Sequence, residues 1–195
     1  MLLKIVQAGE PVLRRPTRDL TPDEIRSPTL RMLIDLMRET MRDAPGVGLA
    51  ATQIGEGLRL AVIEDRAAYV DGLSEEDRER RRRREIPFHV IINPRLTIVD
   101  PTPVEFFEGC LSVVGWTAIV PRAAAVHVDA LDDKGQPISI DADGWYARIL
   151  QHEIDHLDGN LYIDRMHPRS LCTHESHARL WSGLPIPDVK KALGI

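Results

Sequence analysis

Between Leu30 and Met41 the apolar residues Leu30, Leu33, Ile34, Met37 and Met41 recur at helical spacing, opened by Ser27-Pro28 and closed by Pro45-Gly46. Serine before proline is a good helix start, so the pattern predicts an amphipathic helix over about 28–43 whose Met-rich stripe packs in the core. The next run, GVGLAATQIG (46–55), reads as a loop, because Gly46 and Gly48 allow backbone approaches that side chains forbid. Beyond Leu58 the period shortens to that of strands, over 58–64, 88–94, 104–109, 117–121, 124–131 and 136–142. Short strands separated by Pro, Gly and Asp predict antiparallel sheets and not a strand–helix–strand repeat. A last clear helix begins near Asp143 and runs through DGWYARILQHEIDHLDG, with Gly159 placed to stop it. Trp145, Ile149, His152 and His156 share one face of it, so two histidines continue an inward apolar stripe.

Composition narrows the picture. The 195 residues are 43% hydrophobic, enough for one ordinary core, so one domain over 1–195 is expected, with a charged insertion at about 71–87. Within the insertion, Glu75 to Glu85 carries six arginines against five acids and is nearly neutral. It reads as a solvated loop or surface helix, with a phosphate-docking patch over Arg80–Arg84 as the sharper alternative. The net charge of −5 gives no general nucleic-acid footprint. No apolar stretch approaches the ~18 residues of a membrane span. Two cysteines, Cys110 and Cys172, are too few for a disulfide framework and suit a reducing cytosol.

The candidate chemistry sits on the last helix. His152 and His156 are one turn apart, about 5–6 Å between Cβ atoms, and can share one metal ion. With Glu153 they form HExxH, in which the glutamate can deprotonate a metal-activated water. A third ligand is needed. The extended HExxHxxGxxH pattern has its glycine, Gly159, but Tyr162 where the third histidine would stand. Glu175 is a downstream carboxylate of the kind a zinc endopeptidase uses. Cys110, between a glycine and a short turn, suits an exposed thiolate, whereas Cys172 reads as an ordinary thiol. Glu108 and Arg122 form a candidate pair behind the cysteine strand.

Three segments, GVGLAATQ (46–53), EGCLS (108–112) and QHEIDH (151–156), match in order the motifs of the peptide deformylases, and the chain resembles that family from about residue 3 to 167. The resemblance looks closer to the organellar and animal-like subgroup, on VVGWTAIVPR (113–122) and DGWYARILQHE (143–153). It implies an α+β fold with antiparallel β-sheets around a central HExxH-bearing α-helix. Cys110, His152 and His156 would hold a divalent metal, Fe2+ by family expectation and Zn2+, Ni2+ or Co2+ in preparations. Glu153 would be the general acid/base, with Gln53 and the Leu111 N–H facing the oxyanion. Gly46, Val47 and Gly48 would lie along the substrate backbone, and Val47 and Ile149 would line a methionine pocket.

The implied reaction is removal of the formyl group from formyl-methionine of newly made polypeptides, in the cytoplasm, with transient contact with the ribosome. Thr117 stands where many bacterial members carry a basic residue. A zinc endopeptidase using Glu175, and a non-catalytic metal-binding or ribosome-docking module, are the competing readings.

Overall fold

The computed structural model describes residues 1–195. The helices are α1 (Pro22–Ile25), α2 (Pro28–Asp43), α3 (Ala67–Asp71), α4 (Glu75–Arg81), α5 (Gly144–Leu157), α6 (His174–Leu180) and α7 (Ile186–Leu193). The strands are β1 (Gly48–Ala50), β2 (Leu60–Asp65), β3 (Ile86–Cys110), β4 (Val113–Leu131), β5 (Pro137–Asp143) and β6 (Cys172–Thr173). They form one antiparallel sheet in the order β1-β2-β3-β4-β5, with β6 added alongside β4.

The α2 prediction holds over Pro28–Asp43, with the Ser27 side chain accepting from the Leu30 N–H at 3.1 Å. Its stripe packs on one face of the sheet: Met37 and Met41 are fully buried against Leu49, Leu60, Val62 and Ile92. The other face receives α5, where Ile149, Leu150, Ile154 and Leu157 meet Ala61, Ile63, Ile91, Val126 and Val128. β2 is therefore buried on both faces, which is why LAVIED is apolar almost without alternation. Burial of these side chains, about 1.5–3 kcal/mol for each large one, holds helix and sheet together.

Three sequence expectations are corrected. The segments 88–94 and 104–109 are parts of one strand, β3, and 117–121 and 124–131 are parts of β4. Pro94, Pro101 and Pro103 sit where the ladder shifts register, so pairing bends and continues, and Pro121 lies in unbroken register opposite Glu105. The expected loop 46–55 holds β1, paired to β2, and a 3-10 turn at Ala51–Ile54. The chain also does not end its helices at α5: α6 and α7 follow, with Val189 of α7 fully buried. α6 is mostly exposed and polar, with Thr173 as its side-chain cap, whereas α7 does carry a helical pattern, Ile186, Val189 and Leu193, followed by Gly194.

The terminal helix is fastened to β3 by charge. Lys190 Nζ donates to both oxygens of Glu105 at 2.9 and 2.7 Å, and His167 Nε2 lies 2.6 Å from Oε1. Burial pushes the Glu105 carboxyl up, but Lys190 and His167 outweigh it and hold its pKa below the usual value. A carboxylate depressed in the folded state stabilises above its unfolded pKa, about 4.3, and loses that contribution as pH falls through the folded value. Glu105→Gln is therefore expected to cost about 1 kcal/mol at pH 7, a Tm loss of about 2–4 °C. Thermal melts should show the gap to wild type closing below about pH 4; a gap independent of pH would refute the charge role.

Candidate metal centre

Long strands β3 and β4 are joined by the two-residue turn Leu111-Ser112, with Cys110 paired opposite Val113 at the hairpin tip. The hairpin curls so that this tip meets α5. There the ligand atoms of Cys110, His152 and His156 all lie within 4.8 Å of one another. Cys110 Sγ is 3.2 Å from His156 Nε2, and the two imidazole centroids are 5.0 Å apart.

The rings are held differently. His152 Nδ1 lies 3.0 Å from Glu108 Oε2, which leaves its Nε2 as the free ring nitrogen. His156 Nδ1 is buried without a hydrogen-bond partner. Burial opposes a charge on both rings. Cys110 and Glu108 outweigh it at His152, whose pKa is raised, whereas burial wins at His156, helped by His152 and Arg122. One thiolate and two imidazoles, with a cavity beside them, make the donor set of a catalytic metal site with a position left for water. The residues present fit a divalent metal ion.

Glu108 is the hub behind the ligands. Arg122 grips it with Nε and Nη2, each at 2.9 Å, and Arg148 Nη1 joins from one turn before His152. Burial would raise the Glu108 carboxyl, but Arg122 and His152 reverse the effect and hold it far below the usual range. Arg122 also bonds Asp155, which Arg165 grips with both ends at 2.6 Å. The expected Glu108–Arg122 pair is thus present within a larger network. Arg148 and Asp155 escaped the sequence reading, although Arg148 carries a signal: it is four residues before His152 on the same helix face.

Glu153 is the opposite kind of carboxylate. It is 3% exposed, its Oε2 has no hydrogen-bond partner, and burial pushes its pKa up to about 7. Gly48 explains its room: a Cβ there would overlap the Glu153 carboxyl. Gln53 is fixed by the Ala50 N–H donating to its Oε1 at 2.9 Å, which turns Nε2 toward Ser112 Oγ (3.3 Å) and Cys110 Sγ (3.5 Å). The Leu111 N–H makes no hydrogen bond within the protein.

These groups border a cavity of about 520 Å³, with Gly46, Val47 and Gly48 on one wall and Trp145 and Ile149 on the α5 side. β1 is the edge strand of the sheet. Ala50 uses its outward N–H on Gln53, so the edge ahead of it at Gly48 is open to an added strand. His174 of α6 also lines the cavity, a residue that no motif or spacing singled out. Thr117 is buried and spends its hydroxyl on the Glu108 carbonyl at 2.7 Å. Tyr162 stacks on His152 with centroids 6.4 Å apart and supplies no ligand, and Glu175 is exposed and outside the donor group.

The insertion is a surface helix, as expected, with Arg80, Arg82 and Arg84 exposed, and most of its arginines are held by counter-charges or rings. Arg83 pairs with buried Asp65 through two bonds at 2.7 and 2.8 Å, Arg82 with Asp143 at 2.8 Å, and Arg80 with Asp77. The guanidiniums of Arg81, Arg83 and Arg148 surround the Trp145 ring at 4.9, 5.2 and 5.8 Å.

Comparison with known proteins gives one family. Residues 2–171 match the family model described as polypeptide deformylase. Peptide deformylase 1A, chloroplastic, of Solanum lycopersicum is 48% identical over 172 residues, 88% of this chain and 62% of that protein. Peptide deformylase 3 of Streptomyces avermitilis is 47% identical over 186 residues, 95% of this chain and 80% of that protein. The chain thus spans less than two thirds of the tomato relative. The Met-Ala-Ser-bound class I type b peptide deformylase of Acinetobacter baumannii superposes with a TM-score of 0.75 at 30% identity, covering 85% of this chain and 99% of that one.

Two outcomes test the centre. Cys110→Ala should lose bound metal, measured by elemental analysis, while Glu175→Ala keeps it; the reverse would restore the endopeptidase ligand set. Glu108→Gln should lower metal affinity about 10–100-fold. It should also destabilise by about 3–5 kcal/mol, because Arg148 is left buried without a counter-charge and Arg122 keeps only Asp155. Unchanged affinity and denaturation midpoint would contradict the hub role.

Proposed function

The chain belongs to the polypeptide deformylase family, a family of metal-dependent hydrolases, and from that premise we propose that it removes the N-formyl group from formyl-methionine at the start of new polypeptides, releasing formate and a free amine. The observation that carries this reading is the buried, unpartnered Glu153 carboxylate beside one thiol and two imidazole donors, on a cavity walled by an open strand edge.

A divalent metal held by Cys110, His152 and His156 supplies Lewis acidity, which makes water a better nucleophile near neutral pH and polarises a carbonyl. We assign Fe2+, since the thiolate donates more charge than a third imidazole would and softens the site. Glu153 takes the proton of the attacking water and passes it to the departing nitrogen. Its burial suits a group that must both accept and return a proton near pH 7. The Gln53 amide and the unspent Leu111 N–H meet the charge that develops on the formyl oxygen. Gly46 to Gly48 pair with the substrate backbone as an added strand, which reads a peptide without demanding its sequence. Val47 and Ile149 contact the methionine side chain.

The Acinetobacter relative was crystallised with Met-Ala-Ser bound, a peptide with the expected product's first residue, which favours a methionyl peptide in this cavity too. The endopeptidase reading has no support from Glu175, and a non-catalytic module has no use for an isolated carboxylate beside the donors. No helix is long and apolar enough to cross a membrane. A reduced thiolate and ferrous iron fit the cytoplasm, where nascent chains emerge from the ribosome.

Formate release from a formyl-Met-Ala peptide, assayed anaerobically with Fe2+ or Ni2+, is the direct test. Glu153→Ala should abolish release with metal retained, and Gln53→Leu should lower kcat about 10²–10³-fold. No formate from metal-loaded wild type would end this reading.

A further inference from the structure

A second cavity, of about 110 Å³, lies between the arginine-rich insertion and the N-terminal end of α5. Arg80, Arg81, Arg82, Arg122 and Arg148 line it together with Gly144, the first residue of that helix, and no carboxylate lines it. Four of these arginines have carboxylate partners: Asp77 for Arg80, Asp143 for Arg82, and Glu108 for both Arg122 and Arg148. Arg81 has none. Its Nε is buried without any hydrogen-bond partner, and its guanidinium rests on the faces of Trp145 and Phe106 at 4.9 and 5.4 Å.

A half-buried guanidinium against two aromatic rings is expensive to keep without a counter-charge. Burial pushes the Arg81 pKa down, Asp77 only partly opposes this, and Arg83 and Arg80 add to it. The helix adds to the positive potential. Asp143, the residue before it, pairs its carboxylate with Arg82 at 2.8 Å and makes no capping hydrogen bond, so its side chain leaves the first-turn N–H groups uncapped. The wall is also closely fitted. A Cβ at Gly144 would come within 2.6 Å of Arg82 Cβ and 2.9 Å of the Arg81 carbonyl oxygen. Only a glycine lets the insertion close on the helix here.

We propose that this cavity binds a single small oxyanion of the phosphate class, with Arg81 as its principal contact and Arg148 and the α5 N-terminus completing the positive surround. The space, about 110 Å³, is small, which suits one tetrahedral oxyanion better than a polymer. Occupancy supplies the missing counter-charge and ties the insertion to the helix that carries His152 and His156. Arg148 lines this cavity and the substrate cavity alike, so the two share a wall.

The test is titration of the metal-loaded full chain with inorganic phosphate at constant ionic strength, with chloride as control, followed by calorimetry and thermal melting. Saturable binding is expected, with a Tm rise of about 3–6 °C at ten times the Kd. Arg81→Met keeps the packing and should abolish the shift, whereas Arg81→Lys keeps a cation and should retain part of it. No saturable binding in wild type overturns the proposal, as does a shift that survives Arg81→Met, which would seat phosphate at the metal or elsewhere. A short RNA that binds where inorganic phosphate does not would also overturn it. Independently of any variant, a wild-type crystal soaked in selenate should show anomalous density between Arg81 and Gly144. Density confined to other positions would mean an adventitious ion only and would refute the site.

Discussion

A single buried carboxylate, Glu108, ties the two halves of the metal centre together. It accepts from Arg122 on the neighbouring strand and from Arg148 on the helix, and it meets His152 Nδ1. An ion this deeply buried survives only if its oxygens are well supplied with donors, so it demands one relative placement of β3, β4 and α5. The demand reaches the hairpin register. Sliding β3 by one residue against β4 would turn Glu108 to the opposite face, leaving Arg148 unpaired and Arg122 with Asp155 alone. The same slip would remove Cys110 from its place opposite Val113. The network thus holds the thiol and the imidazoles in register, whatever its net contribution to stability.

Against this saturated carboxylate stands Glu153, only one helical residue beyond His152 and yet without a cation on it. The two differ in what surrounds them and not in chemistry: arginines push one pKa far down, and dry burial lifts the other. Separating two like groups in this way is how one site can contain both a fixed orienter and a mobile proton carrier. Gly48 is part of the same arrangement, because any side chain at that point of the edge strand would fill the space the Glu153 carboxyl occupies. The glycine therefore serves two partners, keeping the strand edge open outward and the base free inward.

Much of this was legible in the chain. The α2 stripe and the His152, Glu153, His156 set rest on periodicity, a local signal that tertiary packing then used unchanged. Cys110 was legible only through its motif, since its nearness to the histidines depends on a hairpin of two long strands. Those strands were misread as fragments because proline and glycine punctuate a sequence identically whether the ladder ends or merely bulges. Arg148 stood on the His152 face of the helix, but its partner Glu108, like the Arg122 that meets Asp155, comes from a distant strand, and spacing does not give such contacts. α6 offers only the Thr173 cap, but α7 was legible: Ile186, Val189 and Leu193 fall at helical spacing ahead of Gly194, and the pattern is simply short, at eight residues.

The arginine run shows most clearly what a linear charge pattern conceals. Its near neutrality suggested a solvated segment, and its density suggested an outward patch, but neither asks where the counter-charges lie. Asp65, fully buried at the end of β2, requires a cation delivered to it, and Arg83 arrives with both ends of its fork. Arg82 does the same for Asp143 at the start of α5. With these two anchored, Arg81, just before them in the chain, lies on Trp145, one turn before Ile149 on the wall of the substrate cavity. The insertion is therefore continuous with the metal-bearing helix: it adds a layer whose order depends on buried charges, and whose order in turn fixes the ring that closes one side of the site.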